Sequence, residues 1–317
     1  MGAIRNRALR QVNQTGRYKP PISVIGIAMN VTLSFHSHVV AGHVGNAVAR
    51  HVFTLLGREL WEVPTVVFSN HPAGRSFAGE ALASATMARM VAALRDNGLL
   101  ASVDAVLSGY LRDPDHVGII AEVVPTVRSR AGGARFVCDP VLGDRAQGLY
   151  VPAAVARSVA EILVPLADVL TPNHFELEYL TGAPAADDAA VWSAAARLQA
   201  AGPEVVVVTS VRTGDAPDDI ARTFMLAGEN AWHVTTPLVN SPAHGAGDLL
   251  AAILAARLTA GTSPPEALSL AVSGVYGVLR ATGRNPDLQL LAAASQIVAP
   301  SQTFAAMPRP PASGGGG

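Results

Sequence analysis

Lysine is nearly absent from this sequence: after Lys19, the basic side chains of its 317 residues are all arginine or histidine. That excludes a P-loop, whose Gly-Lys-Ser/Thr places an ammonium on the phosphates, as well as a protein-kinase strand lysine and any lysine Schiff base in the core. If the chain handles a nucleotide, it does so with backbone amides, arginine and metal. Cysteine is equally scarce. Cys138 is the single one, so no intrachain disulfide exists, a zinc site built on several thiolates is excluded, and a reducing cytoplasm is the expected location. Net charge is also missing: 23 Lys plus Arg balance 24 Asp plus Glu, which offers no electrostatic footprint for nucleic acid. The apolar stretch Ile22 to Phe35 is interrupted by Asn30 and Thr32, too short and too polar to span a membrane.

What is abundant is apolar. With 50% hydrophobic and 15% charged residues, the chain can bury a large core, enough for one large α/β domain or two small ones. Residues 1–21 carry Arg5, Arg7, Arg10, Arg17 and Lys19 with no acid. Such a leader suits either targeting or an upstream extension, and the β-rich run beginning at Met29 favours the second, with residues 1–28 outside the fold. A domain over 29–300 is expected, followed by a disordered Pro/Gly-rich tail over 301–317. No internal repeat or second boundary is visible.

Within the domain, Met29 to Phe35, Glu62 to Phe68, Ala105 to Leu107, Arg135 to Cys138, Asp168 to Leu170 and Val205 to Thr209 read as strands. Gly79 to Asn97, His116 to Ser129, Pro152 to Leu166 and Asp187 to Ala201 read as the helices between them. This alternation predicts a mostly parallel sheet covered by helices on both faces. Arg222 to Leu226 and Ala231 to Thr235 add a hairpin around Gly228-Glu229-Asn230. Ligands of such sheets lie beyond the carboxyl ends of the strands, where the polar motifs fall.

The sharpest motif is His244-Gly245-Ala246-Gly247-Asp248, which runs straight into the apolar Leu249 to Leu258. A glycine-rich turn there delivers a carboxylate to a helix N-terminus, whose free N–H groups and dipole suit an anion. The pairing fits phosphoryl transfer to an alcohol, with the backbone N–H groups on the moving phosphate and Asp248 taking the hydroxyl proton. Aspartate is also a preferred helix cap, so the turn alone is equally compatible with plain capping. Ser34 to Asn46 forms a second glycine-rich strand-to-helix turn; its alternating His36 and His38 suit hydrogen bonding to a small polar ligand better than zinc, since carboxylates and thiolates are missing nearby. Asp139 and Asp144 follow a strand end and can hold Mg²⁺. Asn173 and Glu176 follow the next, with the spacing of a capping box, and Thr209-Ser210 follow a third. So many oxygen ligands on one sheet edge exceed what capping requires.

Taken together, these segments resemble the ribokinase-like superfamily, and most closely its pyridoxal kinases. Ser34 to Asn46 is similar to the family's Ser-x-Gln-Ser-His-Val-Val-x-Gly-x-Val-Gly-Asn. Phe68-Ser69-Asn70-His71, Leu107-Ser108-Gly109-Tyr110, Cys138 to Asp144, Thr171 to Glu176 and Gly245 to Asp248 follow in the family's order, over roughly Met29 to Thr282. The resemblance implies a three-layer α/β/α sandwich and an ATP-dependent kinase acting on the 5′-hydroxyl of pyridoxal, with pyridoxine and pyridoxamine as further substrates. By the same resemblance, Ser37 and Tyr110 line the pyridoxal pocket against Val66 and Phe68. Asp139, Asp144 and Glu176 manage Mg²⁺, while Thr171 and Thr209 supply oxygens to a monovalent cation, K⁺ or Na⁺. Asn173, Ser210 and Tyr150 contact ATP, Gly245, Ala246 and Gly247 form the anion hole, and Asp248 is the base. The stretch 211–219 becomes a mobile cover over the nucleotide, and the chain a homodimer. Three departures stand out: His36 replaces glutamine, Pro72 stands where threonine often meets substrate, and Ala246 replaces the threonine of Gly-Thr-Gly-Asp. Ala246 keeps the N–H that an anion hole needs, whereas an imidazole at 36 changes the local chemistry most. A hydroxymethylpyrimidine kinase of the same fold and an inactive vitamin B6-binding homologue are the competing readings.

Overall fold

Strand β1 (Val31–Val39) is buried along nearly its whole length, including the polar Thr32, Ser34, His36 and Ser37, which is the signature of a central parallel strand covered on both faces. A computed structural model of the chain describes residues 31–129 and 133–309; the proposed start at Met29 and the basic leader lie outside them. After β1 come α1 (Asn46–Leu55), β2 (Glu59–Phe68), β3 (Gly79–Ala81), α2 (Ser84–Asp96), β4 (Val103–Ser108), α3 (Pro114–Arg128) and β5 (Arg135–Cys138). The small ribbon β6 (Gly143–Asp144) and β7 (Gly148–Leu149) follows, then α4 (Ala153–Ser158), a π-helical turn (Val159–Leu163), α5 (Val164–Leu166), β8 (Val169–Leu170), α6 (His174–Thr181) and α7 (Asp188–Ala200). The chain continues through β9 (Val205–Val211), β10 (Ile220–Ala227), β11 (Asn230–Pro237), α8 (Ala246–Thr259), α9 (Pro264–Thr282), α10 (Ala294–Val298) and β12 (Met307–Pro308).

Ten strands form one sheet in the order β12-β11-β10-β9-β8-β5-β4-β1-β2-β3. The block from β9 to β2 is parallel, while β10 to β12 and β3 join its two edges antiparallel. Two apolar cores flank the sheet. One is built with α2, α3, α4 and α7, the other with α1, α8 and α9. Helix α8 is apolar all round because it is enclosed all round, contacting α1, α9 and the sheet. The chain leaves β1 toward β2 on one side and returns to β4 on the other. That reversal opens a crevice at the carboxyl ends of β1 and β4, the position where open α/β sheets bind ligands.

Several expected boundaries shift for identifiable reasons. Residues 79–81, expected to begin a helix, instead pair with Val66 to Phe68 as an edge strand, and the helix starts at Ser84. Strand β1 runs four residues past Phe35, carrying His36 and His38, with a register shift opposite Pro64, which cannot donate to the ladder. The tail expected to be disordered from 301 is packed through Arg309. Ser269 donates to the Phe304 carbonyl at 2.7 Å and the Phe304 N–H to Ser273 at 2.9 Å, Met307 and Pro308 pair with β11, and the Arg309 guanidinium lies over Trp192. Its polar, proline-rich composition hid one apolar anchor, Phe304, which meets Tyr276 edge-on.

Candidate active site

A cavity of about 720 Å³ opens at the β1/β4 crevice. Its inner wall is set by the last turns of these two strands. The Asn46 side chain, at the start of α1, accepts from Ser34 at 2.7 Å and donates to the His36 carbonyl at 3.0 Å, locking the strand-to-helix turn onto β1. His36 is buried, and its ring lies flat against Gly109. The Thr65 hydroxyl fixes the neighbouring turn by donating to the Tyr110 carbonyl at 2.6 Å.

The anion-hole turn is shaped by Gly245, whose φ of +91° lies in the left-handed region and whose absent Cβ leaves room for the His43 carbonyl. Helix α8 begins at Ala246, so the expected Gly245-Ala246-Gly247 amides occupy its first turn, and Gly245 and Gly247 face the cavity. Asp248 faces it too, one carboxylate oxygen accepting the Gly45 N–H at 2.7 Å and the other lying 3.3 Å from His36 Nε2. Burial pushes this carboxyl up, but the His36 imidazole, the Gly45 N–H and His71 outweigh it and hold the group below its ordinary range. A carboxylate kept ionised at a helix N-terminus can accept a proton while the helix end stabilises an anion.

Beside Asp248 lie the other carboxylates of the cavity floor. Asp139, at the end of β5, is buried, and burial together with Glu176 and Asp248 raises its pKa well above the ordinary value, against a 2.9 Å hydrogen bond from Thr171. Glu176 is the acid of a complete capping box with Asn173. Its carboxylate accepts the Asn173 N–H at 2.8 Å and the Leu142 N–H at 2.7 Å, and burial still lifts it to about 7. Capping and ligand-site readings of this pair thus describe the same residues. Buried carboxylates raised by burial and by neighbouring acids, with no arginine paired to them among the described residues, fit a divalent cation by charge and by donor type. His36, Asp139 and Asp248 bring one ligand atom each within 4.8 Å of one another, whereas His38 does not line the cavity, so the less favoured reading of His36 and His38 as a metal pair has no support in the geometry. Asp144 lies just outside the lining: its carboxylate takes the Tyr150 hydroxyl and the Ala146 and Gln147 N–H groups, and Tyr150 is what reaches the cavity. Thr209 and Ser210 line it as well, Ser210 in a left-handed backbone conformation unusual for a non-glycine residue.

The far side is apolar and aromatic. Val39, Val44, Phe68, Phe77, Ala81 and Tyr110 line it with Ser37 and Pro72. Val66 is the exception to expectation: it is fully buried beneath this wall and does not reach the cavity. Along β2 it shares a face with Phe68 but sits one pleat deeper, packed in the cluster with Val39, Val44 and Phe68. His71, His244 and Arg112 are among the lining residues to which the sequence assigned no role. His71 and His244 stack at 3.9 Å between ring centroids, joining the Phe-Ser-Asn-His segment to the anion-hole turn, and Arg112 donates to the Tyr110 hydroxyl at 3.0 Å. Only the position of His244, directly before Gly245, signalled its nearness. The expected cover, 211–219, is tied by Thr213 to Asp188 at 2.6 Å and by Asp215 to the Asp188 N–H at 2.8 Å, and apart from the strand end at Ser210 it does not reach the cavity.

A helix N-terminus, a carboxyl held below its ordinary pKa beside it and a cluster of buried carboxylates at a sheet switch point are the arrangement a small-molecule kinase needs. The phosphomethylpyrimidine kinase family matches residues 83–288. Pyridoxal kinase PdxY of Rubrobacter xylanophilus is 41% identical over 88% of this chain and 97% of its own length, and that of Corynebacterium diphtheriae 35% identical over 84% and 94%. The crystal structure of pyridoxal kinase from Leishmania donovani in complex with ADP and pyridoxamine superposes with a TM-score of 0.83 at 29% identity, covering 88% of this chain and 99% of that one. The chain therefore belongs to the pyridoxal kinase family, with its ribokinase-like fold and kinase activity. Among the described residues, no helix is long and apolar enough to cross a membrane.

Proposed function

We propose that this chain transfers the γ-phosphoryl group of ATP to the 5′-hydroxyl of pyridoxal, with pyridoxine and pyridoxamine as further substrates, giving the 5′-phosphate and ADP. The observation that carries this reading is the juxtaposition of Asp248, ionised and aimed by Gly45 and His36, with the first turn of α8 at the inner end of the cavity. Asp248 accepts the hydroxyl proton as the oxygen–phosphorus bond forms, and the bond to ADP breaks in line. The N–H groups of Gly245, Ala246 and Gly247 stabilise the charge on the moving phosphoryl group. Ser37, Phe68 and Tyr110 hold the pyridine ring; Val66 supports that wall from behind. Asn173, Ser210 and Tyr150 contact the nucleotide.

Asp139 and Glu176 are the residues that would hold Mg²⁺, with Asp144 acting from outside through Tyr150. The bound ion would neutralise charge on the ATP phosphates. Thr171 and Thr209 offer oxygens suited to K⁺ or Na⁺. A cytoplasmic homodimer is the assembly we infer, supported by the resemblance and by a lone cysteine, Cys138, that is buried and pushed up to about 12 by that burial. The family match to phosphomethylpyrimidine kinases sustains one competing reading, a hydroxymethylpyrimidine kinase, and the Phe68-to-His71 segment at the cavity speaks against it. Coupled ADP-release rates with Mg²⁺-ATP decide between them. A kcat/KM for pyridoxal at least about 100-fold above that for hydroxymethylpyrimidine is expected; the reverse preference would overturn the assignment.

A further inference from the structure

His36, which stands where the resemblance expects glutamine, is held from every side. The Ser37 N–H points at its Nδ1 at 2.8 Å and the Tyr110 N–H at 3.4 Å. Asn46 holds its carbonyl at 3.0 Å, and the ring is seated over Gly109, where any Cβ would fall 2.1 Å from Nε2. An N–H directed at Nδ1 requires a lone pair there. The remaining proton of the neutral ring is therefore on Nε2, the nitrogen that lies 3.3 Å from Asp248 Oδ1.

We infer that His36 is a positioning residue for the base, a fixed Nε2–H donor that holds the Asp248 carboxylate, together with the Gly45 N–H, in the orientation that receives the substrate proton. This inference rests on the reading of Asp248 as the base. The same tautomer argues against a transition metal bridging His36, Asp139 and Asp248. A ligating Nε2 would have to shed its proton while Nδ1 still faces two N–H groups, which would make the ring an anion. It also removes His36 as a proton relay, because Nδ1 has no free acceptor direction toward solvent: the ring is buried at 3% exposure. What glutamine would do with an amide N–H, this chain does with an imidazole that Gly109 leaves room for. The two groups on Asp248 come from adjoining segments, β1 and the turn before α1, so the base is aligned by the strand-to-helix connection that shapes the site.

The test combines ring ¹⁵N NMR on the full-length protein with kinetics of His36 variants. The spectrum of ¹⁵N-histidine-labelled protein, with His36 assigned by comparison with His36→Gln, is expected to show the Nε2–H tautomer; an Nδ1–H ring would overturn the inference. In parallel, His36→Leu is expected to lower kcat about 10- to 100-fold, the loss of one hydrogen bond to a charged group, with KM for ATP and pyridoxal within about threefold of the parent. His36→Gln, which keeps an N–H, should recover most of that loss. Equal defects in both variants, or none in His36→Leu, would mean that the ring only fills space. Asp248→Asn separates the two readings. Full turnover by that variant would overturn the base assignment, whereas the tautomer and the Leu/Gln contrast report on His36 itself.

Discussion

The two walls of the cavity are stabilised in opposite ways. The floor, with Asp139, Glu176 and Asp248, gathers buried carboxylates whose geometry is set mainly by hydrogen bonds: Thr171 to Asp139, the Leu142 and Asn173 amides to Glu176 and the Gly45 amide to Asp248, which also lies 3.3 Å from His36 Nε2. The opposite wall, with Val39, Phe68 and Tyr110 backed by Val66, is set by packing. On the floor the carboxylates compete with one another, since Asp139 is raised by its neighbours while Asp248 is lowered by His36. That asymmetry fits the proposed division of labour, in which Asp248 is the ionised base and Asp139 and Glu176 hold the cation. The apolar side chains of the other wall have no charge to divide, and their contribution is shape and exclusion of water.

The contrast is broken most severely by removing the one ionised base. Asp248→Asn is expected to cut kcat by about 10²- to 10⁴-fold with little change in KM for ATP, the usual worth of general-base catalysis; steady-state kinetics check it. The packed wall should respond differently. Phe68→Ala is expected to raise KM for pyridoxal about tenfold or more. Val66→Ala, behind the wall, should leave KM close to the parent and lower stability by about 1–3 kcal/mol in urea melts. A reversal of these two effects would mean that Val66, and not Phe68, meets the substrate.

A finer distinction concerns pH. The pKa of Glu176 in the fold, about 7, lies above the ~4.3 of an unfolded carboxyl. The folded state therefore binds the extra proton between those values. Stability from this group is complete below the unfolded pKa, declines as pH rises, and levels off once pH passes the folded value. A divalent cation favours the ionised carboxylate, so added Mg²⁺ should raise Tm more above pH 7 than near pH 5. Equal gains at both would detach Glu176 from the cation site. The smallest effect belongs to a helix cap: Asp113 caps α3 by accepting the Asp115 N–H at 3.0 Å, and Asp113→Ala should cost about 1 kcal/mol with little change in kcat.

Much of this arrangement is legible in the sequence where one local rule decides the outcome. The apolar run after Asp248 can only be an enclosed helix, and α8 is one; the Asn173/Glu176 spacing is a capping box, and the box is complete. Legibility fails where partners come from afar. Period-two alternation places Val66 and Phe68 on one face but cannot tell how deep each lies, which depends on distant neighbours such as Val39 and Val44. His36 and His38 read as a local pair, yet His36 turns to Asp248, 212 positions along the chain, because Gly109, just past β4, clears the space. The packed segment after residue 300 escaped notice because its anchors on α9 and β11 are equally distant in sequence.

The most direct measurement follows pyridoxal 5′-phosphate and ADP together in one reaction of the full-length protein with Mg²⁺-ATP and pyridoxal. The account predicts that the two appear in equal amounts and that both stop in Asp248→Asn. ADP released without the phosphorylated vitamin, or undiminished formation of both by the variant, would contradict it.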